Sequence, residues 1–210
     1  MKIFKITENA HILGIVKGLV SESRSVEDYF REFKPEVVGI GISGEELEGL
    51  KTYIKSGFEL PPLSNIEEIY AEKLAVFGDV GFPPPAFETC VSYCLLNEIK
   101  LHALDIPENE FTDIYCKNVH TGDLIRQSFR VKRLRKKKFK AETPEEFEIQ
   151  WDAAVNKIAG FRMVENARER HMAEKLVEIL SQFRMLAVIE IARAENVFKI
   201  LFKKPIKDER

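Results

Sequence analysis

Two nearly continuous apolar runs, "AHILGIV" at 10–16 and "EVVGIGIS" at 36–43, with one amphipathic segment between them, constrain this chain more than any other feature. A strand that is apolar at successive positions must be covered on both faces, which is the situation of a parallel sheet. Between the runs, Val26, Tyr29, Phe30 and Phe33 recur at i, i+3, i+4 and i+7 and predict a helix with one apolar face. Ser25 is the expected cap, Glu27 and Asp28 fall in the first turn where the helix dipole favours acids, and Pro35 ends the segment. "GEELEGLKTYIKSG" then repeats the amphipathic pattern through Leu47, Leu50 and Ile54 and stops at Gly57. The order β-α-β-α is the sequence mark of an α/β fold.

The rest of the chain extends the same plan. Helices are predicted around "NIEEIYAEKLAVFG", over 86–99 and 108–119, and from Pro144, where Thr143 and Glu146 supply a helix-start signature. A long helix over about 165–182 presents Ala173, Leu176, Leu180 and Phe183 on one side. Strands are expected at 100–106, at "MLAVIEIA" and at "NVFKILF". The expectation is one domain spanning 1–210, with a mostly parallel central sheet, helices on both faces and a charged, helical insertion over 107–165. With 45% apolar and 31% charged residues, disordered and fibrous classes are excluded. No apolar stretch is long enough for a membrane helix and the N-terminus lacks a signal-peptide core, so the expected location is the cytoplasm. The many Lys and Glu residues suit a thermophile.

Several chemistries are disfavoured by what the chain lacks. Cys90, Cys94 and Cys116 form no CxxC pair and read as free thiols. His11, His102, His120 and His171 are scattered, with no HExxH, no Ser-His-Asp series and no P-loop, and the glycines of "GIGISGEE" do not fit GxGxxG. The loudest charge signal is "RVKRLRKKKFK" at 130–140. It offers phosphate contacts to nucleic acid or an anionic membrane. The competing reading is a solvated surface neutralised by the adjacent Glu142, Glu145, Glu146 and Glu148.

Three segments in order, the first strand and helix (11–30), "KPEVVGIGISGEELEGL" (34–50) and "ARERHMAEKLVEIL" with "RMLAVIEIARAENV" (167–197), resemble the TraB/PrgY group, related to the TIKI metalloproteases, the erythromycin esterases and ChaN-like haem-binding proteins. "ALDIPENEF" is similar to that group's "IDRxI" strand end, with Asp105 at its Asp. The resemblance implies an α/β fold whose hydrolase site has a GxxH after the first strand, a Glu closing the second and a second His closing the last. Here those positions hold Lys17 (in "GIVK"), Gly41 and Arg193 (in "EIAR"), while Arg168 survives from an ERD-like segment whose Glu becomes Ala167.

Lys and Arg cannot ligate a cation and stay charged at neutral pH, so no metal and no cofactor are expected. The resulting expectation is a catalytically degenerate, TraB-like binding or regulatory protein whose Lys17, Arg168 and Arg193 meet at one cationic cleft. They would there grip an anionic small molecule or be neutralised by acidic side chains. A second expectation keeps a hydrolase with acid–base work moved to Glu190, Glu195 or Asp105. A third is the nucleic-acid or membrane contact through 130–140, and a second copy of the chain is a further partner class.

Overall fold

The computed structural model describes residues 1–57, 62–180 and 183–203. A five-stranded sheet runs through its centre in the order β1-β2-β5-β3-β4. β2 (Ala10–Ile15), β5 (Met185–Glu190), β3 (Val37–Ile40) and β4 (Lys100–Ala103) are mutually parallel. β1 (Lys2–Thr7) pairs antiparallel with β2 and forms the edge. The expected parallel core is therefore present, with one antiparallel strand that the sequence reading passes over because its exposed-face lysines dilute the apolar pattern.

Alternation along the central strands sorts the core into two layers. Ile12, Met185, Ala187 and Ile189 face one side, with α3 (Asn65–Leu74), α7 (Pro144–Val155), α8 (Ala159–Ile179) and α9 (Ile191–Lys203). Leu13, Ile15, Val38, Ile40, Leu186 and Val188 face the other, with α1 (Ser21–Phe33), α2 (Gly44–Ser56) and α4 (Pro85–Leu96). Both faces are covered, which is why these strands read as unbroken apolar runs. Among the described residues, α5 (Glu108–Asn118) and α6 (Thr121–Leu134) complete the helical set.

Three expectations are corrected. The segment "NVFKILF" is not a strand: it lies in α9, where Ala194, Val197 and Leu201 recur at helical spacing and are buried against the sheet. A short apolar run does not by itself separate strand from helix, and packing of this segment into the core decides for the helix. α1 starts at Ser21, a turn before the expected cap Ser25, because the loop after β2 turns at once. Gly18, at φ +87°, makes that turn in a region that favours glycine. The long helix runs from Ala159, earlier than expected, and ends at Ile179, so Leu180 is its cap and Phe183 is exposed. The proposed tail of that helix at 181–182 lies outside the described residues.

Gly14 has a packing role as well. A Cβ there would lie 2.6 Å from Ile191 Cδ1 and 3.2 Å from Ala194 Cβ, so the glycine lets α9 approach β2 closely. The helical state of 196–202 is testable at Lys199, whose contact is an exposed pair with Glu195. Lys199→Pro is expected to cost about 3 kcal/mol in urea unfolding, as in any helix interior, whereas Lys199→Ala stays within about 0.5 kcal/mol. An edge strand would tolerate the proline far better.

Candidate functional site

Parallel pairing delivers the carboxyl ends of β2, β5, β3 and β4 to one edge of the sheet. Lys17 follows β2, Glu190 ends β5, Arg193 stands in the first turn of α9, and Asp105 follows β4. α8 crosses above them and contributes Glu165 and Arg168. Open α/β sheets characteristically place their ligand crevices at this edge.

These six side chains form one ladder of alternating charge. Lys17 Nζ lies 3.5 Å from Glu190 Oε1, and the other oxygen of Glu190 accepts from Arg193 Nη1. Arg193 also donates through Nε and Nη2 to Glu165 Oε2, at 2.7 and 2.6 Å. Glu165 Oε1 accepts from Arg168 Nη1 at 3.2 Å, and Arg168 clamps Asp105 with Nε (2.9 Å to Oδ2) and Nη2. The sequence-predicted trio of Lys17, Arg168 and Arg193 is thus brought into one network, and Glu190 joins two of its members directly. Three cations face three carboxylates, so the cleft is charge-compensated; unpaired like charges this deep would repel and carry a large desolvation cost.

The network fixes the ionisation of its members. Burial would raise the Glu190 carboxyl, but Arg193, Lys17 and Arg168 outweigh it and hold the pKa at about 2. Glu165 is likewise held below the ordinary carboxylate range, burial being overcome by Arg193 and Arg168. Arg193 is pushed upward despite burial, by Glu190 and Glu165.

Beside the ladder is a cavity of about 290 Å³ lined by Lys17, Tyr70, Glu148, Trp151, Glu190 and Arg193 among others. Arg168 and Asp105 do not line it; they stand behind Glu165, which does. Glu195 does not line this cavity. It is exposed on α9, pairing with Lys199 at 2.6 Å and Lys2 at 3.8 Å. Of the carboxylates expected to take over acid–base work, Glu195 is therefore elsewhere, and Glu190 and Asp105 are tied to arginines.

Glu148 is the site residue that sequence reasoning passed over as surface charge. α7 carries it inward, on the same helix as the buried Phe147 and Trp151. Its Oε2 accepts the Lys17 backbone N–H at 2.7 Å. The Tyr70 hydroxyl donates to the Lys17 carbonyl at 2.6 Å and lies 3.2 Å from the same Glu148 oxygen. Burial, reinforced by the neighbouring Glu190 charge, pushes the Glu148 carboxyl well up. The available signal was helical spacing: Glu148 follows Phe147 and precedes Trp151 on the apolar side of α7, where a surface glutamate would not fall.

The residues present do not fit the divalent-metal centre that the resemblance implies. Its ligand positions hold Lys17, Gly41 and Arg193, and a Cβ at Gly41 would lie 3.2 Å from Ile189 Cα, leaving little room for a side chain. Among the described residues no group of three His, Cys, Asp or Glu is arranged to hold a metal ion. Cys90 and Cys94 are buried free thiols in α4, and His11 is packed at a helix–sheet contact, its Nδ1 2.7 Å from the Tyr29 hydroxyl. His102 is half-buried in β4 opposite Gly39.

The two glutamates carry opposite pH signatures. Glu190, depressed to about 2 from an ordinary 4.5, contributes stability that is present above about pH 4.5 and lost as pH falls toward 2. Glu190→Gln is expected to cost about 3–5 kcal/mol at pH 7, the range for breaking a buried pair, with the deficit shrinking on acidification. Glu148 is raised, so its contribution is complete below about 4.5 and is lost as pH rises through its folded value. Glu148→Gln, which keeps an oxygen for the Lys17 N–H, is expected to gain relative stability toward alkaline pH. Urea titrations of both variants between pH 3 and 9 check the two signs.

No protein-family model matches the sequence, and no curated protein does. A solved structure described as cofacial heme binding to ChaN of Campylobacter jejuni is similar to this chain, at 14% sequence identity and a TM-score of 0.44, over 90% of this chain and 76% of that one.

Proposed function

We propose that this chain is a non-hydrolytic, TraB-like binding protein that receives a small ligand at the carboxyl edge of the sheet. The ligand's anionic group meets Lys17. The observation that carries this reading is the position of the Lys17 ammonium. It is the member of the ladder with the most open side chain, 37% exposed, and its one carboxylate contact is a loose 3.5 Å. Arg193 and Arg168, by contrast, are saturated by short contacts to two carboxylates each.

Lys17 also borders two spaces at once. On one side is the polar cavity of about 290 Å³, and on the other an apolar groove of about 890 Å³ walled by Ile42, Leu50, Tyr53, Leu63, Phe82 and Phe87. A cation at the mouth of an apolar groove suits a ligand with an anionic group and an apolar body, the common design of small-molecule sites. Gly18 and Gly81 latch the wall in place, the Gly81 N–H donating to the Gly18 carbonyl at 2.9 Å. The loss of hydrolase groups and the charge-compensated ladder support binding in place of turnover.

Anilinonaphthalene sulfonate, an aromatic anion, is a suitable probe. Saturable fluorescence enhancement is expected at neutral pH, weakened about tenfold or more by Lys17→Met, since a charge-assisted contact is worth about 1.5–3 kcal/mol. Phe82→Ser is expected to weaken it as well, and Lys136→Glu to leave it unchanged. Equal binding by wild type and Lys17→Met would sink the proposal.

A further inference from the structure

We propose that α6 and the turn after it form a docking surface for an anionic phospholipid bilayer, separate from the cleft. The inner side of α6 is fixed: Leu134 is buried, Gln127 Nε2 donates to the Val155 carbonyl at 3.2 Å and Arg130 Nη2 to the Ala154 carbonyl at 2.5 Å. The outer side is left with Ile125 and Phe129, 56% and 59% exposed, one helical turn apart. Leu124 is exposed beside them. The same outward stripe continues at helical spacing into Lys132 and Lys136, with Arg133, Lys137 and Lys138 beside it. The chain still turns helically there, the Lys136 and Lys137 N–H groups donating to the carbonyls of Arg133 and Leu134.

Three of the four neighbouring acids are turned to other partners. Glu148 points inward to Lys17, the Glu146 carboxylate accepts the Glu142 N–H while its own N–H donates to the capping Thr143 hydroxyl, and Glu145 reaches the Met1 amino group. Among the described residues, Lys132, Arg133, Lys136, Lys138 and Lys140 form no ion pair, while Lys137 lies over the Phe139 ring at 4.7 Å. Phe139 is itself packed on Phe147 and Trp151, which anchors the far end of the run.

An exposed aliphatic–aromatic pair continuing into unpaired cations is the pattern of an interfacial helix: apolar side chains enter the headgroup boundary while Lys and Arg meet lipid phosphates. Nucleic acid would meet the cations and stack on Phe129 alone, leaving the exposed Leu124 and Ile125 without a role, and the chain's net charge of −2 offers no wider attraction. The attraction is local and concerns the surface of the bilayer; no helix among the described residues is long and apolar enough to cross one.

Flotation with phosphatidylcholine vesicles, with and without phosphatidylglycerol, tests this at about 0.1 M salt. Binding to the anionic vesicles and not the neutral ones is expected. Lys136→Glu/Lys137→Glu/Lys138→Glu should lower the partition coefficient by more than about 100-fold, and Ile125→Ser/Phe129→Ser by about tenfold, with unchanged far-ultraviolet circular dichroism. Lys17→Met should bind vesicles as wild type does, which separates this surface from the cleft. Absence of wild-type binding to anionic vesicles would overturn the proposal. So would an Ile125→Ser/Phe129→Ser variant that binds as wild type, or single-stranded RNA that is bound more tightly than vesicles and needs neither apolar residue.

Discussion

Glu190 is the anion on which the cleft depends. Its two oxygens divide between Lys17 at the end of β2 and Arg193 in the first turn of α9. It therefore ties neighbouring strand ends to the helix that follows. Removing its charge would leave two cations facing each other in a buried place, with Glu165 compensating only one of them. The remainder of the ladder repeats this logic outward, so that Lys17, Arg193 and Arg168 each face a carboxylate. Such a network adds little stability over an apolar filling of the same shape, but it fixes where each side chain points. The consequence here is a lysine ammonium held at the junction of a polar cavity and an apolar groove.

The location of the ladder follows from the sheet. Strands β2, β5, β3 and β4 run in the same direction, so residues far apart in sequence leave the sheet at one edge. Backbone contacts reinforce the arrangement. The Lys17 N–H is bonded by Glu148 and its carbonyl by Tyr70, from α7 and α3 respectively. Lys17 is thus positioned through its backbone by buried groups while its ammonium reaches Glu190. The glutamates of "PEEFE" serve three ends in space, inward, at the helix start and at the Met1 amine, and this leaves the basic run of α6 exposed.

How much of this was legible in the sequence depends on the range of the interactions involved. The parallel core was legible because a strand covered on both faces must be apolar at every position, and that pattern survives without knowledge of neighbours. Thr143 and Pro144 marked the start of α7 because capping is satisfied within one helical turn, and the Thr143 hydroxyl does accept the Glu146 N–H at 3.2 Å. The edge strand β1 was missed since half-exposed, lysine-bearing strands lack a strong pattern. "NVFKILF" was misread because seven apolar-rich residues fit either period, and only burial of Val197 and Leu201 in the core selects the helix.

The sequence by itself determined an α/β sheet and the identities of Lys17, Arg168 and Arg193. It determined this because hydrophobic periodicity and local capping are short-range and residue identity is given. Tertiary structure alone decided the sign of the cleft and the exposure of α6. Coulomb interaction depends on distance, and sequence neighbours such as Glu148 and the basic run part company once α7 turns inward. Glu165, some 28 positions from Arg193 in sequence, becomes its nearest compensating charge together with Glu190.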